Sequence, residues 1–174
     1  RDSRNLIDFV ACSGTGQPAI CASGNRVFGT YANIARARAE GVEVSLTANP
    51  VQALTLTANY AYTATRNRTP GSASLGNRLA RRPLHSALLA ADVDAGSGTS
   101  FGAEIRYVGV SYDDVGNSTR LSDYALVSLR AAITLSSTLQ LYGRVENLFD
   151  ERYQTADGYG TAGHTVSVGI RARF

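Results

Sequence analysis

The last eleven residues, 164–174, alternate without interruption between two kinds of side chain. The apolar series consists of Val166, Val168, Ile170, Ala172 and Phe174, and the intervening residues are small, polar or basic. A strict period of two indicates a β-strand with one apolar face. The length matches the roughly 9–11 residues that a tilted strand needs to cross a bilayer. The segment therefore predicts a membrane-spanning strand.

Composition favours a membrane protein built from strands over one built from helices. Hydrophobic residues make up 44% of the chain, yet the mean hydropathy is only −0.11. The longest apolar run, residues 87–91, is far shorter than the ~18 residues of a membrane helix. Barrel strands place apolar residues at alternate positions, which keeps the average near zero. All 17 basic residues are arginines scattered along the chain, which argues against nucleic-acid binding.

Eight strand-like segments can be distinguished, beginning with the short apolar stretch 5–10 and the long stretch 26–48. Each later segment alternates in the same way as the last one. Their apolar series are Leu54, Leu56, Ala58, Tyr60 and Tyr62; Ala87, Leu89, Ala91 and Val93; Phe101, Ala103, Ile105 and Tyr107; Ala125, Val127, Leu129, Ala131, Ile133 and Leu135; and Leu139, Leu141 and Val145. The fold class predicted is all-β.

The second segment changes its pattern near Gly41. Before this glycine the charged residues Arg36, Arg38 and Glu40 occupy even positions, and after it the apolar residues do, beginning with Val42. A glycine bulge that exchanges the two faces of the strand is the simplest explanation.

The connections alternate in length. Short ones are expected near residues 49–50, 96–98 and 136–137, and long polar ones near 11–25, 67–77, 113–119 and 151–162. This alternation is typical of a transmembrane antiparallel β-barrel with short periplasmic turns and long extracellular loops. The C-terminus would then be periplasmic, with Phe101 and Phe174 at the inner rim and tyrosines such as Tyr60, Tyr62 and Tyr107 at the outer rim. The alternative, a soluble β-sandwich, usually has strands of about five or six residues.

Cys12 and Cys21 are the only cysteines, and they lie in a segment rich in glycine, serine and proline. Two thiols without a nearby histidine are too few for a zinc site. In an oxidising compartment they would close a small disulfide loop, and two unrelated free thiols are the alternative.

Residues 144–153, with Asn147, Leu148, Phe149, Asp150 and Tyr153, followed by residues 158–163 and a strand ending in Phe174, resemble the C-terminus of TonB-dependent outer-membrane receptors. The stretches 35–43 and 81–83 fit the same family. Within it, residues 153–155, 158–163 and 107–113 look most like cobalamin receptors. His164 departs from this likeness, because that subfamily more often has arginine there.

The resemblance implies a barrel of twenty-two strands filled by an N-terminal plug, of which this chain would supply the last eight strands. The plug and the segment that contacts TonB would lie outside residues 1–174. The implied function is uptake, powered through the TonB complex, of a small-molecule ligand: cobalamin or a related corrinoid, or alternatively a ferric siderophore or haem. No catalysis and no cofactor are implied. A self-contained eight-stranded barrel with a structural or adhesive role is the alternative from another class.

Five residues are candidates for ligand contact because aromatic and arginine side chains are common anchors in binding sites: Tyr112, Asp113, Arg152, Tyr153 and Tyr159. Asp113 and Asp114 offer too few oxygens for Ca²⁺, so no metal site is predicted. By resemblance, Val166, Val168, Ile170 and Phe174 form the signal read by the barrel-assembly machinery. Outer-membrane lipid is the remaining expected partner.

Overall fold

The computed structural model describes residues 2–12, 19–22 and 29–172. Within this part there are ten β-strands and one short 3-10 turn, Ala19–Ala22. The strands are β1 (Asp2–Ala11), β2 (Gly29–Val51), β3 (Leu54–Asn67), β4 (His85–Gly96), β5 (Thr99–Val108), β6 (Ser111–Tyr112), β7 (Arg120–Leu121), β8 (Tyr124–Thr134), β9 (Leu139–Glu146) and β10 (Thr165–Ala172). The prediction of an all-β fold is confirmed. No helix in these residues has the length and apolar character that a membrane span requires.

Eight of the described strands form one antiparallel sheet in the order β1-β2-β3-β4-β5-β8-β9-β10. Strands that follow one another in this sheet are also neighbours in space, as in an up-and-down barrel wall. Two residues separate β2 from β3 and β4 from β5, and four separate β8 from β9. The intervening connections are all long and lie at the opposite end of the sheet. The predicted alternation of short turns and long loops is confirmed.

One face of the sheet is apolar from β2 to β10. The register brings Leu46, Ala58, Leu89, Ile105 and Val127 into one row across five strands. These side chains are not packed against other parts of the described chain: Leu46 is 63% exposed and Val168 of β10 is 73% exposed. Leaving such a surface in water is unfavourable by roughly 25 cal/mol per Å². It is therefore the face that contacts membrane hydrocarbon, and we call it the outward face.

The opposite, inward face carries the charges. Arg130 on β8 binds Asp92 on β4, with its Nη2 2.5 Å from Oδ1, and the two side chains meet across the intervening strand β5. Gly102 on β5 makes this possible, because a Cβ there would lie 2.5 Å from Nε of Arg130. Arg106 adds a further ion pair to Glu104 at 3.4 Å. These charges of the inward face are thus paired across and along strands.

The predicted bulge at Gly41 is wrong. Pairing between β2 and β3 runs without a break from Ala37 to Ala48, so Arg36, Arg38 and Glu40 share the outward face with Val42. The reason is length: β2 has 23 residues, about twice what a bilayer crossing needs, so its outer end projects beyond the hydrocarbon. There an outward face meets water and headgroups, and charged side chains are stable on it.

The irregularity in this hairpin lies instead between Ala48 and Val51, beside Pro50, which has no N–H to donate to a ladder. The turn therefore falls at residues 52–53 and not at the predicted 49–50. Gly41 has a different role, because a Cβ at this position would collide with the backbone carbonyl oxygen of Tyr62 on β3.

The terminal strand β10 presents Val166, Val168 and Ile170 on the outward face, all largely exposed. Phe174, the fourth residue of the predicted assembly signal, lies outside the described residues. An apolar groove of about 580 Å³ runs over this side of the sheet, between Phe101, Leu129, Val145 and Val166. It belongs to the lipid-facing surface and is not a candidate ligand site.

Candidate functional site

The loop between β3 and β4, residues 68–84, folds back over the inward face of the sheet. It covers Ala37, Thr65 and Asn67, which are buried although the strands around them are exposed. The Thr65 hydroxyl accepts a hydrogen bond from the backbone N–H of Leu79 at 3.2 Å. The Asn67 side chain donates to the hydroxyl of Ser74 at 2.9 Å. This loop therefore reaches towards the mouth of the barrel and away from lipid.

A second loop, residues 109–123, packs against the first. It contains the small two-stranded sheet of β6 and β7, which flank the predicted connection 113–119 and were not predicted as strands. The Asn117 side chain accepts a hydrogen bond from the N–H of Arg78 at 2.8 Å and donates to the carbonyl of the same residue at 3.0 Å. Asn77 donates to the carbonyls of Val115 and Gly116. The two loops thus form one connected unit.

Tyr112 and Asp113 lie at this junction and are already engaged. The Asp113 carboxylate accepts a hydrogen bond from Nε of Arg81 at 2.7 Å. The carbonyl of Tyr112 accepts from the N–H of Arg81 at 2.6 Å, and the guanidinium of Arg78 lies 5.5 Å from the centre of the Tyr112 ring. These contacts give both candidates a role in holding the loops together.

Asp114 closes the turn between β6 and β7. Its carboxylate accepts hydrogen bonds from the N–H groups of Ser118 and Thr119, the latter at 2.6 Å. Burial by itself raises the pKa of this carboxyl, but the backbone N–H donors outweigh it and hold the pKa below the ordinary 3.8. A carboxyl whose pKa is lower in the folded than in the unfolded state stabilises the fold at pH values above its unfolded pKa. This stabilisation is lost as the pH falls below 3.8 and then through the pKa of the folded state.

Asp114→Ala is expected to increase the population of the open β6–β7 turn about three- to tenfold, since a lost capping hydrogen bond typically costs about 1 kcal/mol. Hydrogen exchange of residues 111–121 in the full-length protein would measure this. Asp94→Ala is the matched control, because its carboxylate caps a β4–β5 turn at the other end of the sheet. Equal exchange in residues 111–121 of the Asp114 variant and the parent would contradict the assigned role.

The last long loop, residues 147–164, is organised by two residues of the motif on which the resemblance rests. Asn147 and Asp150 both have positive φ, 50° and 54°. The Asn147 side chain is buried, donates to the carbonyl of Glu151 at 3.0 Å and accepts from its N–H at 2.8 Å. Asp150 accepts from the N–H of His164 at 3.0 Å. The motif thus fixes the path of this loop.

Two of the predicted ligand residues line a cleft of about 570 Å³ beside this loop. Arg152 and Tyr153 contribute to one side of it, and Arg120 and Asp123 contribute from the loop that contains β7. The Tyr153 ring packs on the Tyr124 ring with 4.3 Å between their centres. The lining is mixed in charge and rich in hydrogen-bonding groups, which suits a bulky polar ligand.

The predicted site residues therefore separate into two groups and one outlier. Arg152 and Tyr153 share the cleft, Tyr112 and Asp113 belong to the loop junction, and Tyr159 is 71% exposed outside the cleft lining. Sequence reasoning missed Arg120 and Asp123. The turn-forming residues Asp114 and Asn117 were the available signal, because they indicate a hairpin that brings both residues back to the sheet.

Cys12 and Cys21 are joined by a disulfide in the structure, with their Cα atoms 5.4 Å apart, within the usual range for such bonds. Both are buried. Among the residues that the structure describes, no three histidine, cysteine, aspartate or glutamate side chains converge on a common point.

A model of the family described as TonB-dependent receptor-like, β-barrel, matches residues 1–148. The chain belongs to this family. The match includes β1 to β9, so nearly all of the wall described above is TonB-dependent receptor barrel. The predicted family and barrel class are confirmed.

The relatives of this TonB-dependent receptor chain are named for different ligands. The vitamin B12 transporter BtuB of Photobacterium profundum is 40% identical over 53 residues, 30% of this chain and 9% of the relative. The ferrioxamine receptor of Yersinia enterocolitica is 28% identical over 132 residues, 72% of this chain and 19% of the relative. A mutant of the ferric enterobactin receptor PfeA of Pseudomonas aeruginosa superposes with a TM-score of 0.71 at 23% identity, over 99% of this chain and 27% of that one. The matched residues thus span less than a third of each relative.

Proposed function

We propose that this chain is the C-terminal wall of an outer-membrane receptor that takes up a bulky nutrient complex by a TonB-dependent route. The observation that carries the proposal is the division of the sheet into two faces. A continuous apolar face is left for lipid, while the inward face carries paired charges and two long loops fold over its outer end. Such a wall borders a polar passage and needs no catalytic group.

The orientation that we propose rests on the alternation of short and long connections. The long loops lie at the extracellular end and the short turns at the periplasmic end, as in bacterial barrels generally. The C-terminus is then periplasmic, and the outward residues of β10 are available to the barrel-assembly machinery. TonB would act on such a receptor through a plug domain inside the barrel.

The cleft formed by Arg120, Asp123, Arg152 and Tyr153 contributes to the ligand site. Cobalamin or a related corrinoid is the first candidate, supported by the likeness of the last loop and by the local match to a vitamin B12 transporter. A ferric siderophore is the second, supported by the longer match to a ferrioxamine receptor. Both ligands are large, polar and rich in amide or acidic groups, which arginine and tyrosine side chains bind well.

The test is equilibrium binding of cyanocobalamin, ferrioxamine and ferric enterobactin to the full-length protein in detergent. Tight binding of cyanocobalamin alone supports the first candidate, and binding of an iron chelate alone supports the second. If the folded protein, with a heat-modifiable barrel, bound none of the three ligands, both candidates would be contradicted.

An Arg152→Ala, Tyr153→Ala double variant is expected to weaken binding of the preferred ligand about tenfold or more, because aromatic and arginine anchors typically contribute above 1 kcal/mol each. Tyr159→Ala is the matched control. It removes a tyrosine from the same loop but outside the cleft, and we expect it to bind within twofold or so of the parent protein. A greater loss for Tyr159→Ala than for the double variant would show that the ligand contacts the exposed tip of the loop instead.

A further inference from the structure

We propose that the loop 68–84, which does not line the ligand cleft, increases affinity for the ligand by holding Arg120 in place on one wall of that cleft. The inference rests on the proposed function, because it takes the cleft as the ligand site. The residues that act are Arg78 and Asn117, one on each side of the junction between the loops 68–84 and 109–123. Neither is among the described residues that line the cleft. They are positioning residues, whose effect on the ligand passes through Arg120.

The loop 68–84 is a fixed support because it is bonded directly to the sheet. The backbone N–H of Asn67, the last residue of β3, donates to the carbonyl of Asn77 at 2.8 Å. The N–H of Leu79 donates to the hydroxyl of Thr65 on the same strand at 3.2 Å. Thr65 and Asn67 are both buried, so these bonds are shielded from water. The two anchored loop residues lie on either side of Arg78.

Arg78 contacts both ends of the β6–β7 hairpin. At the turn, its backbone N–H and carbonyl both bond to the side chain of Asn117, at 2.8 Å and 3.0 Å. At the base, its Nη2 donates to the carbonyl of Val110 at 3.0 Å, and its guanidinium lies over the ring of Tyr112. Contacts at two separated points fix the orientation of the hairpin as well as its position.

The hairpin needs this external support because it is very short. Its strands have only two residues each, and an isolated two-stranded hairpin is at best marginally stable in water. Tyr112 pairs directly with Arg120, so a displacement of one strand displaces the other. Arg120 lines the cleft. The place of its guanidinium therefore depends on contacts that come from outside the hairpin.

The opposite wall of the cleft is held by separate residues. Asn147 and Asp150 fix the loop that carries Arg152 and Tyr153. A change at the junction of the other two loops therefore alters one wall and leaves the second in place. An arginine that is already held in its binding position loses less conformational freedom when the ligand arrives, and affinity rises accordingly.

A double-mutant cycle tests this inference in the full-length protein in detergent, with whichever of cyanocobalamin, ferrioxamine and ferric enterobactin the parent protein binds. Asn117→Gly removes the bonds to Arg78, but glycine accepts the positive φ of 58° and the net charge is unchanged. The Asp114 carboxylate still caps the turn. Asn117→Gly is expected to weaken binding about three- to tenfold, the usual cost of immobilising one long side chain. In an Arg120→Ala background the same substitution should change affinity less than about twofold, because the two residues act as a unit.

Hydrogen exchange gives a second readout that does not depend on any substitution in the cleft. If the junction strengthens ligand binding, the ligand must strengthen the junction by the same factor. Saturating ligand is therefore expected to slow exchange in residues 75–79 of the parent protein about three- to tenfold, although none of them lines the cleft. In Asn117→Gly this protection should be absent.

Asn49→Gly is the matched control. It removes the same side chain from the opposite end of the sheet, where Nδ2 donates to the hydroxyl of Thr55 at 2.7 Å, and is expected to bind ligand like the parent protein. Parent-like binding by Asn117→Gly would overturn the inference. So would an equal loss of affinity with and without Arg120, which would indicate general destabilisation, or unchanged exchange of residues 75–79 on ligand binding.

Failure of the proposed function gives a different result. If the Arg152→Ala, Tyr153→Ala variant bound ligand like the parent protein, the cleft would not be the ligand site, and this inference would be overturned with it. If that variant lost affinity while Asn117→Gly did not, the ligand site would stand and only the positioning role of the loop 68–84 would be overturned.

Discussion

Leu129→Arg is expected to lower the free energy of unfolding of the membrane-inserted protein by about 2–4 kcal/mol, the usual cost of an arginine on the lipid face near the middle of a bilayer. Leu129 is the sixth of the eleven residues of β8, and its register partners Ala103 and Val145 are both on the outward face. Reversible urea unfolding of the full-length receptor in lipid vesicles measures the change. A variant as stable as the parent would show that this face is not in contact with hydrocarbon.

Ser128→Arg provides the matched control for that experiment. Ser128 precedes Leu129 on the same strand but lies on the inward face, opposite Glu104. An arginine there gains a carboxylate partner in a polar environment, so we expect a change within about 1 kcal/mol. The contrast between two adjacent positions tests the assignment of faces directly. If Ser128→Arg were the more destabilising of the two, the assignment would be reversed.

Asn147→Ala is expected to destabilise the receptor by about 2–5 kcal/mol, for two separable reasons. Asn147 is only 5% exposed, and its loss removes two hydrogen bonds to the backbone N–H and carbonyl of Glu151, together worth about 1–3 kcal/mol. Its φ of 50° is also unfavourable for alanine by about 1–2 kcal/mol. Unfolding in urea measures the total, and proteolysis within residues 151–163 reports the release of the loop.

Two further variants separate these contributions. Asn147→Gly accepts the positive φ but makes no side-chain hydrogen bond, so we expect it to recover about 1 kcal/mol relative to alanine. Asn147→Asp keeps the acceptor for the N–H of Glu151 but loses both donors, and its loop should be released more than in the parent protein. Equal stability of the alanine and glycine variants would mean that backbone strain contributes nothing at this position.

Much of the architecture follows from local pattern. The period of two in β3, β5, β8 and β10 fixes which residues share a face, because successive side chains of any strand point to opposite sides. The alternation of short and long connections fixes the order of strands, since a short turn joins only antiparallel neighbours. The all-β fold and its lipid-facing residues could therefore be predicted without coordinates.

The site was less accessible to sequence reasoning. Arg152 and Tyr153 were expected in a ligand-binding loop, and the structure places them in a cleft. Arg120 and Asp123 of that cleft were missed, because they come about thirty positions before Arg152 and Tyr153 in the chain and reach the cleft only through the β6–β7 hairpin. Asp113 was proposed as a ligand residue, but its partner Arg81 comes from a different loop. Contacts between loops depend on tertiary packing, which leaves no periodic signal.

Gly41 shows most clearly what each level determines. The sequence by itself determined that a charged series and an apolar series meet at this residue, and it determined which residues alternate on either side. Only the tertiary structure decided that the strand continues in register, so that both series lie on one face. The physical reason is that polarity along a membrane wall depends on depth as well as on face. A charge pattern reports whether a side chain is in water or headgroups, and only strand pairing establishes how far the strand extends beyond the hydrocarbon.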